Sequence, residues 1–232
     1  MYITHLSTTQ KQDRGVNSFI GGIPKLPKNF DLPITKDTGT LMTFFYQYEF
    51  PQNHPYSGFT ISIFAATDCM HENYTIPEML KTLYGVDIPK GFLDEYQKYF
   101  KVFIYKNGDY PLREEYTPIL VFKTLYTTQE LDKSNSILFG HISNIPKWYL
   151  NDESPATYNT CTRMVFLFQT QIDYVYEKLP IAPRQKVLSF SGDSKTDVED
   201  AYTDKYELFN ANEIYFFGTD NTEKKIYIIT QC

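Results

Sequence analysis

The chain has 232 residues, 42% of them hydrophobic and 17% aromatic, with a formal net charge of −6 and a pI near 5.3. Twenty Tyr and eighteen Phe supply a sizeable apolar core, which excludes a disordered chain, and the negative field disfavours nucleic acid and anionic lipid as partners. Three scattered cysteines exclude a disulfide framework, residues 1–5 lack the basic start of a signal peptide, and no stretch approaches the roughly eighteen apolar residues of a membrane span, so a cytoplasmic protein is expected.

Along the chain, strand signals dominate. Residues 21–33 open with Gly21-Gly22 and hold Pro24, Pro27 and Pro33, a turn-rich extended segment. Residues 41–50 are packed with Phe and Tyr, and residues 59–64 alternate apolar and polar with the period of a half-buried strand. Residues 76–84 follow Thr75 and carry Pro77 and Glu78 early, predicting a capped helix. Residues 90–99 place Phe92, Tyr96 and Tyr99 at helical spacing and predict a second. Strands are expected over 101–105, 119–122, 164–169, 187–190, 213–217 and 226–229, a short turn at 128–131, and a hairpin turn at 220–223. Residues 172–179 read equally as helix or strand. The sum is an α+β class: a mainly antiparallel sheet with a few peripheral helices.

Part of this chain occurs twice. Residues 21–30 return, eroded, as 140–149 at an offset of 119; Met42-Thr43-Phe44-Phe45-Tyr46-Gln47 returns as Met164-Val165-Phe166-Leu167-Phe168-Gln169 at an offset of 122; residues 63–68 return as 215–220 at an offset of 152. Three blocks in one order predict a single domain over 1–232, built by internal duplication from pseudo-repeats at about 15–125 and 135–232.

Gly21-Gly22-x-Pro24-x-Leu26-Pro27, then Leu32-Pro33 and the aromatic run 41–48 ending in Gln47-Tyr48, resembles the opening of the YwqG-like family, with Leu-Pro replacing that family's Trp-Pro. The motif spans about thirty residues, and the duplicated layout extends the similarity, more weakly, over most of the chain. The resemblance implies an α+β fold of two similar halves and supplies no catalytic residue.

No Gly-x-Gly-x-x-Gly, P-loop, His-Glu-x-x-His or Gly-x-Ser-x-Gly pattern occurs. Asp68, Cys69, His71 and Glu72 gather potential metal ligands, but zinc sites need a second, distant pair, so a polar loop is the simpler reading. His54 in its Pro-flanked loop reads as a surface residue, and Cys161 beside Arg163 as an ordinary thiol. No cofactor and no metal is expected. Gln47 and Gln169, at equivalent strand positions, read either as polar groups lining a cleft between the halves or as ties that hold the opening segment of each repeat; the second is preferred.

The sharpest composition shift is the acidic stretch 191–204, which has no counterpart in the first repeat. Its Asp193, Asp197, Glu199, Asp200 and Asp204, interleaved with Tyr202 and followed by Tyr206, form the expected partner-binding surface. The helical stretch 77–100 is a second candidate surface. The resulting expectation is a non-enzymatic protein-binding protein, in its sharpest form an immunity-type protein that neutralises a basic bacterial toxin. The alternative is a small-ligand binder or enzyme with its site between the repeats, built around Gln47, Gln169, His54 and His141.

Overall fold

The computed structural model describes residues 1–69, 76–81, 84–131, 136–187 and 201–232. The first half of the chain forms β1 (Tyr2–Leu6), β2 (Phe19–Ile20), β3 (Thr43–Glu49), β4 (Phe59–Ala65), β5 (Asp87–Ile88), β6 (Phe100–Lys106) and β7 (Lys123–Thr128). The second forms β8 (Ser136–His141), β9 (Thr157–Tyr158), β10 (Thr162–Thr170), β11 (Val175–Tyr176), β12 (Gln185–Val187), β13 (Ala201–Thr203), β14 (Tyr206–Glu207), β15 (Glu213–Thr219) and β16 (Ile226–Gln231). The main sheet runs β16-β15-β10-β8-β1-β7-β2-β3-β4-β6, and every neighbouring pair in that order is antiparallel.

That order reads the same from either edge. Gln47 of β3 pairs with Phe19 on one side and Ser62 on the other; Gln169 of β10 pairs with His141 and Tyr215. Both central strands bulge at the same point, at Phe45 and at Leu167, where the register against β4 and β15 shifts. The seam between the halves of the sheet is the antiparallel pair β1–β7, so β1, although first in the chain, completes the half that holds β8, β10, β15 and β16. The ladder also corrects the third repeat offset. Ser62, Ile63 and Phe64 occupy the positions of Tyr215, Phe216 and Phe217, an offset of 153 rather than 152. A one-residue slip matters because it turns every side chain to the opposite face.

The sheet folds back along the seam so that its halves face each other. Phe168 lies 6.3, 6.0 and 5.9 Å from the rings of Tyr46, Tyr48 and Phe50, although four strands separate β10 from β3 within the sheet. One continuous core of buried rings and aliphatics fills the space between them, and a fully buried Phe contributes roughly 1.5–3 kcal/mol. A second cluster, Phe19, Leu26, Met42, Phe44, Phe64, Tyr105, Tyr116 and Phe122, lies on the outer face of the first half. Apolar groups on both faces explain why β3 is an aromatic run rather than an alternating strand.

The α+β expectation is overturned: strand accounts for 39% of the chain and helix for 1%, and among the described residues there is no α-helix. Within 90–99, the carbonyls of Pro89 and Gly91 accept from Phe92 and Asp94, so the chain runs in successive turns and never enters the i to i−4 ladder. Tertiary bonds pull the segment outward instead. Tyr96 Oη donates to Ile228 O (2.9 Å) and accepts from Ile228 N (3.1 Å), and its ring packs on Phe92, Phe100 and Tyr227. The described part of 76–84 is likewise non-helical, with Leu80 N donating to Tyr227 Oη (3.0 Å). Helical spacing in an aromatic-rich stretch is a weak prior that such packing overrides. Residues 119–122 are not a strand either; Leu120 makes an isolated bridge to Lys178, and β7 begins at Lys123. Residues 172–179 resolve to the short strand β11, the 220–223 turn joins β15 to β16 as expected, and of the 187–190 strand only Val187 is among the described residues. Among them no helix is long and apolar enough to cross a membrane.

Candidate functional site

The two halves differ most in one connection. The link from β3 to β4 is short, whereas β10 and β15 are separated by residues 171–212, which contain the acidic stretch. This long link is built as two small ribbons. β11 pairs with β14, and β12 pairs with β13 through Gln185↔Thr203, Lys186↔Tyr202 and Val187↔Ala201. Gln185 locks the two together: its Nε2 donates to Glu207 O (2.9 Å) and its Oε1 accepts from Glu207 N (2.8 Å). Tyr176 packs edge-on against Phe45, 4.9 Å away, and Lys186 N donates to Thr67 O, so the link lies against the first half.

The β12–β13 ribbon holds Val187 and Ala201 opposite each other, on either side of 188–200, which carry four of the five acidic residues of the stretch. Asp193, Asp197, Glu199 and Asp200 lie outside the described residues. Tyr202 stands on the ribbon, 44% exposed, with the Arg184 guanidinium 5.8 Å and the Lys186 ammonium 6.0 Å from its ring centre. Arg184 Nη2 also donates to Tyr202 O (2.9 Å). Asp204 is exposed but engaged, 3.0 Å from Lys178 Nζ and 3.7 Å from Arg184 Nε. The hydrogen bond from Lys178 holds its carboxyl below the ordinary range. Tyr206 is fully buried and donates to Pro183 O (2.9 Å), so it belongs to the foundation of the ribbon. The cations Lys178, Arg184 and Lys186 at the base were missed by sequence reasoning; their one signal was the period-2 spacing of Arg184 and Lys186.

Gln47 and Gln169 are buried, each within its own half. Gln47 Oε1 accepts from Lys25 N (3.0 Å) and Nε2 donates to Asn17 O (2.9 Å). Gln169 Oε1 accepts from Lys147 N (2.7 Å), and Nε2 donates to Lys147 O (3.0 Å) and to Glu213. Lys25 and Lys147 are 122 residues apart, which corrects the offset of the first repeat block from 119 to 122. Gly21 in that block has φ +57°, and a Cβ there would lie 2.5 Å from Val121 O, so only glycine fits.

His54 is buried, stacked 4.5 Å from Phe50. Tyr56 N donates to its Nδ1 (3.0 Å), which leaves Nε2 as the donor to Leu167 O (2.8 Å) across the halves. Burial lowers its pKa to about 4. His141 lies beside Tyr2, ring centroids 5.1 Å apart. Burial pushes the Cys69 thiol up to about 11, the opposite of activation, and Cys161 is exposed next to Thr162. Among the described residues no group of three or more His, Cys, Asp or Glu is placed to hold a metal ion; His71 and Glu72 lie outside them. Two open depressions, of about 420 and 350 Å³, lie on the first half, the first lined by Asn17, Glu49 and Gln52, the second by Arg14, Lys25, Lys28 and Tyr110. The chain matches no family model, no curated protein and no solved structure.

Proposed function

We propose that this chain is a non-enzymatic protein-binding protein of the cytoplasm, in its sharpest form an immunity-type protein that neutralises a basic toxin, built on a YwqG-like two-half plan. One observation carries the reading. The register offset between the halves rises from 122 at β10 to 153 at β15, and those extra residues fall in the single link that holds the acidic stretch, presented from a two-stranded ribbon. A rigid scaffold that carries a charged insertion on a pinned base suits recognition of an oppositely charged surface, because complementary fields raise association rates about 10- to 1,000-fold. Tyr202, exposed between two cations on that base, is the aromatic anchor. The cleft alternative has less support: aromatic side chains fill the space between the halves, and the amides of Gln47 and Gln169 are spent on backbone.

The test is affinity capture from the native host at low and high salt, comparing the natural chain with Asp193→Asn/Asp197→Asn/Glu199→Gln/Asp200→Asn. Asp204 stays unchanged because it braces the ribbon. One dominant basic protein, held at low salt and lost with the neutralised variant, is the expected result. Retention of that protein by the neutralised variant, or no capture at either salt, sinks the reading.

A further inference from the structure

The outer faces of the two halves are covered unequally. In the first half, Pro24, Lys25, Leu26 and Pro27 are all buried. Two segments cover them. Residues 12–17 bond the Lys25 ammonium through Arg14 O and Asn17 Oδ1 (both 2.7 Å), and in the chain after β6 Leu112 bridges Lys25 in antiparallel fashion, Arg113 N donates to Pro24 O (3.0 Å), and Tyr116 enters the outer cluster with Phe44 and Phe64. At the offset of 122, the matching residues of the second half are Pro146, Lys147, Trp148 and Tyr149. Lys147 and Tyr149 are exposed, and Pro146 and Trp148 are only half-buried. Trp148 packs on Tyr215 and Phe217, 4.3 and 6.1 Å between centroids, whereas its counterpart Leu26 is fully buried in the outer cluster of the first half. Around it Ile145, Tyr149 and Leu150 are 74%, 55% and 59% exposed. Among the described residues no strand or bridge pairs with 143–149, and Pro146 O, the counterpart of the carbonyl that Arg113 caps, has no hydrogen-bond partner.

We propose that residues 145–150 form a docking site for an acidic, Pro-aliphatic segment of a partner protein, bound as residues 109–116 bind the first half. The chemistry of that segment follows from the intramolecular cover, Asp109-Tyr110-Pro111-Leu112-Arg113-Glu114-Glu115-Tyr116. It lays a Pro-aliphatic pair over the opening segment at one bridge and then turns, with Tyr116 N donating to Arg113 O (2.8 Å); it offers a backbone N–H to the Pro146 carbonyl and is net acidic, with three carboxylates against one guanidinium. The second half presents Lys147 exposed, where the first half has Lys25 buried, so the charge is complementary. Apolar side chains supply the contact area and the added backbone bond sets the register. This site goes beyond the reading above. It uses another surface and an acidic ligand, and it stands or falls independently of the 188–200 stretch.

The probe is a synthetic peptide of residues 107–117, added to the intact chain. Trp148 is the only tryptophan of the protein, so its emission reports on this site and not on the first half. The expected result is a saturable change in Trp148 emission, weakened about tenfold or more in Ile145→Asp/Leu150→Asp; added salt weakens binding to the parent and strengthens binding to Lys147→Glu, where the acidic peptide is repelled. All three side chains are exposed, so the variants keep the urea midpoint of the parent; should the double variant unfold, Lys147→Glu alone decides. Unchanged emission at millimolar peptide, or equal binding by the variants, overturns the proposal. So does a concentration-dependent dimer of the free protein that the double variant abolishes, because the occupant is then a second copy of the chain.

Discussion

His54 shows how one side chain joins the halves and what that makes of pH. Its ring sits in the 51–58 link of the first half and bonds the backbone of β10 in the second, where it is buried and neutral. The folded pKa of about 4 lies below the ordinary 6.5. Above pH 6.5 the ring is neutral in both states and adds no pH dependence. As pH falls from 6.5 to 4, only the unfolded chain takes up the proton, so stability is lost across that window and levels off below it. The full loss is about 3 kcal/mol. Burial also lowers His5 and His141, which act in the same direction. Urea midpoints measured between pH 7 and pH 4 should therefore decline, and His54→Gln should flatten the decline; an equal slope in the variant would remove His54 as the cause.

Among the elements, β16 is an edge strand, and its edge is closed by side chains. Ile228 points its N–H and C=O away from β15, and both bond to Tyr96 Oη. Beside it Lys225 pairs with Asp94, and Leu80 N donates to Tyr227 Oη. The 66–99 link thus protects an edge that would otherwise be open to pairing with another chain. Tyr96→Phe keeps the ring and removes both bonds. It should cost about 1–3 kcal/mol, because a buried donor and acceptor lose their partner together. The check is chemical denaturation combined with amide exchange at Ile228, and exchange at the parent rate would refute the assignment. The same link is where helical spacing misled. Phe92, Tyr96 and Tyr99 recur at the right interval, but Phe92 and Tyr96 pack on a strand more than a hundred residues away and Tyr99 bonds Asp37, and no local pattern records either.

At the scale of the whole molecule, both long links and the 51–58 link cross between the halves, and one core lies between them. Neither half keeps its inner face covered without the other, so unfolding should be a single transition. Trp148 fluorescence, which reports on the second half, and far-ultraviolet dichroism, which reports on both, should give coincident urea curves; separated midpoints would contradict the shared core. The sequence alone determined that the chain repeats, that β3 and β10 correspond at an offset of 122, and that Gln47 and Gln169 are equivalent, because an aromatic run ending in Gln is a local pattern. It left the flanking alignments open. Pro-Lys occurs twice in the first copy, at Pro24-Lys25 and Pro27-Lys28, so Pro146-Lys147 fits either, and only the amide bonds from Gln47 and Gln169 choose the first. Tyr215-Phe216-Phe217 is uniform enough to slide by one residue until the hydrogen-bond ladder fixes it. Tertiary structure alone decided the absence of helices in the described links, the burial of Tyr206, and the open face at Trp148. Each depends on what the rest of the chain lays against a segment, and burial by distant residues leaves no mark in the local sequence.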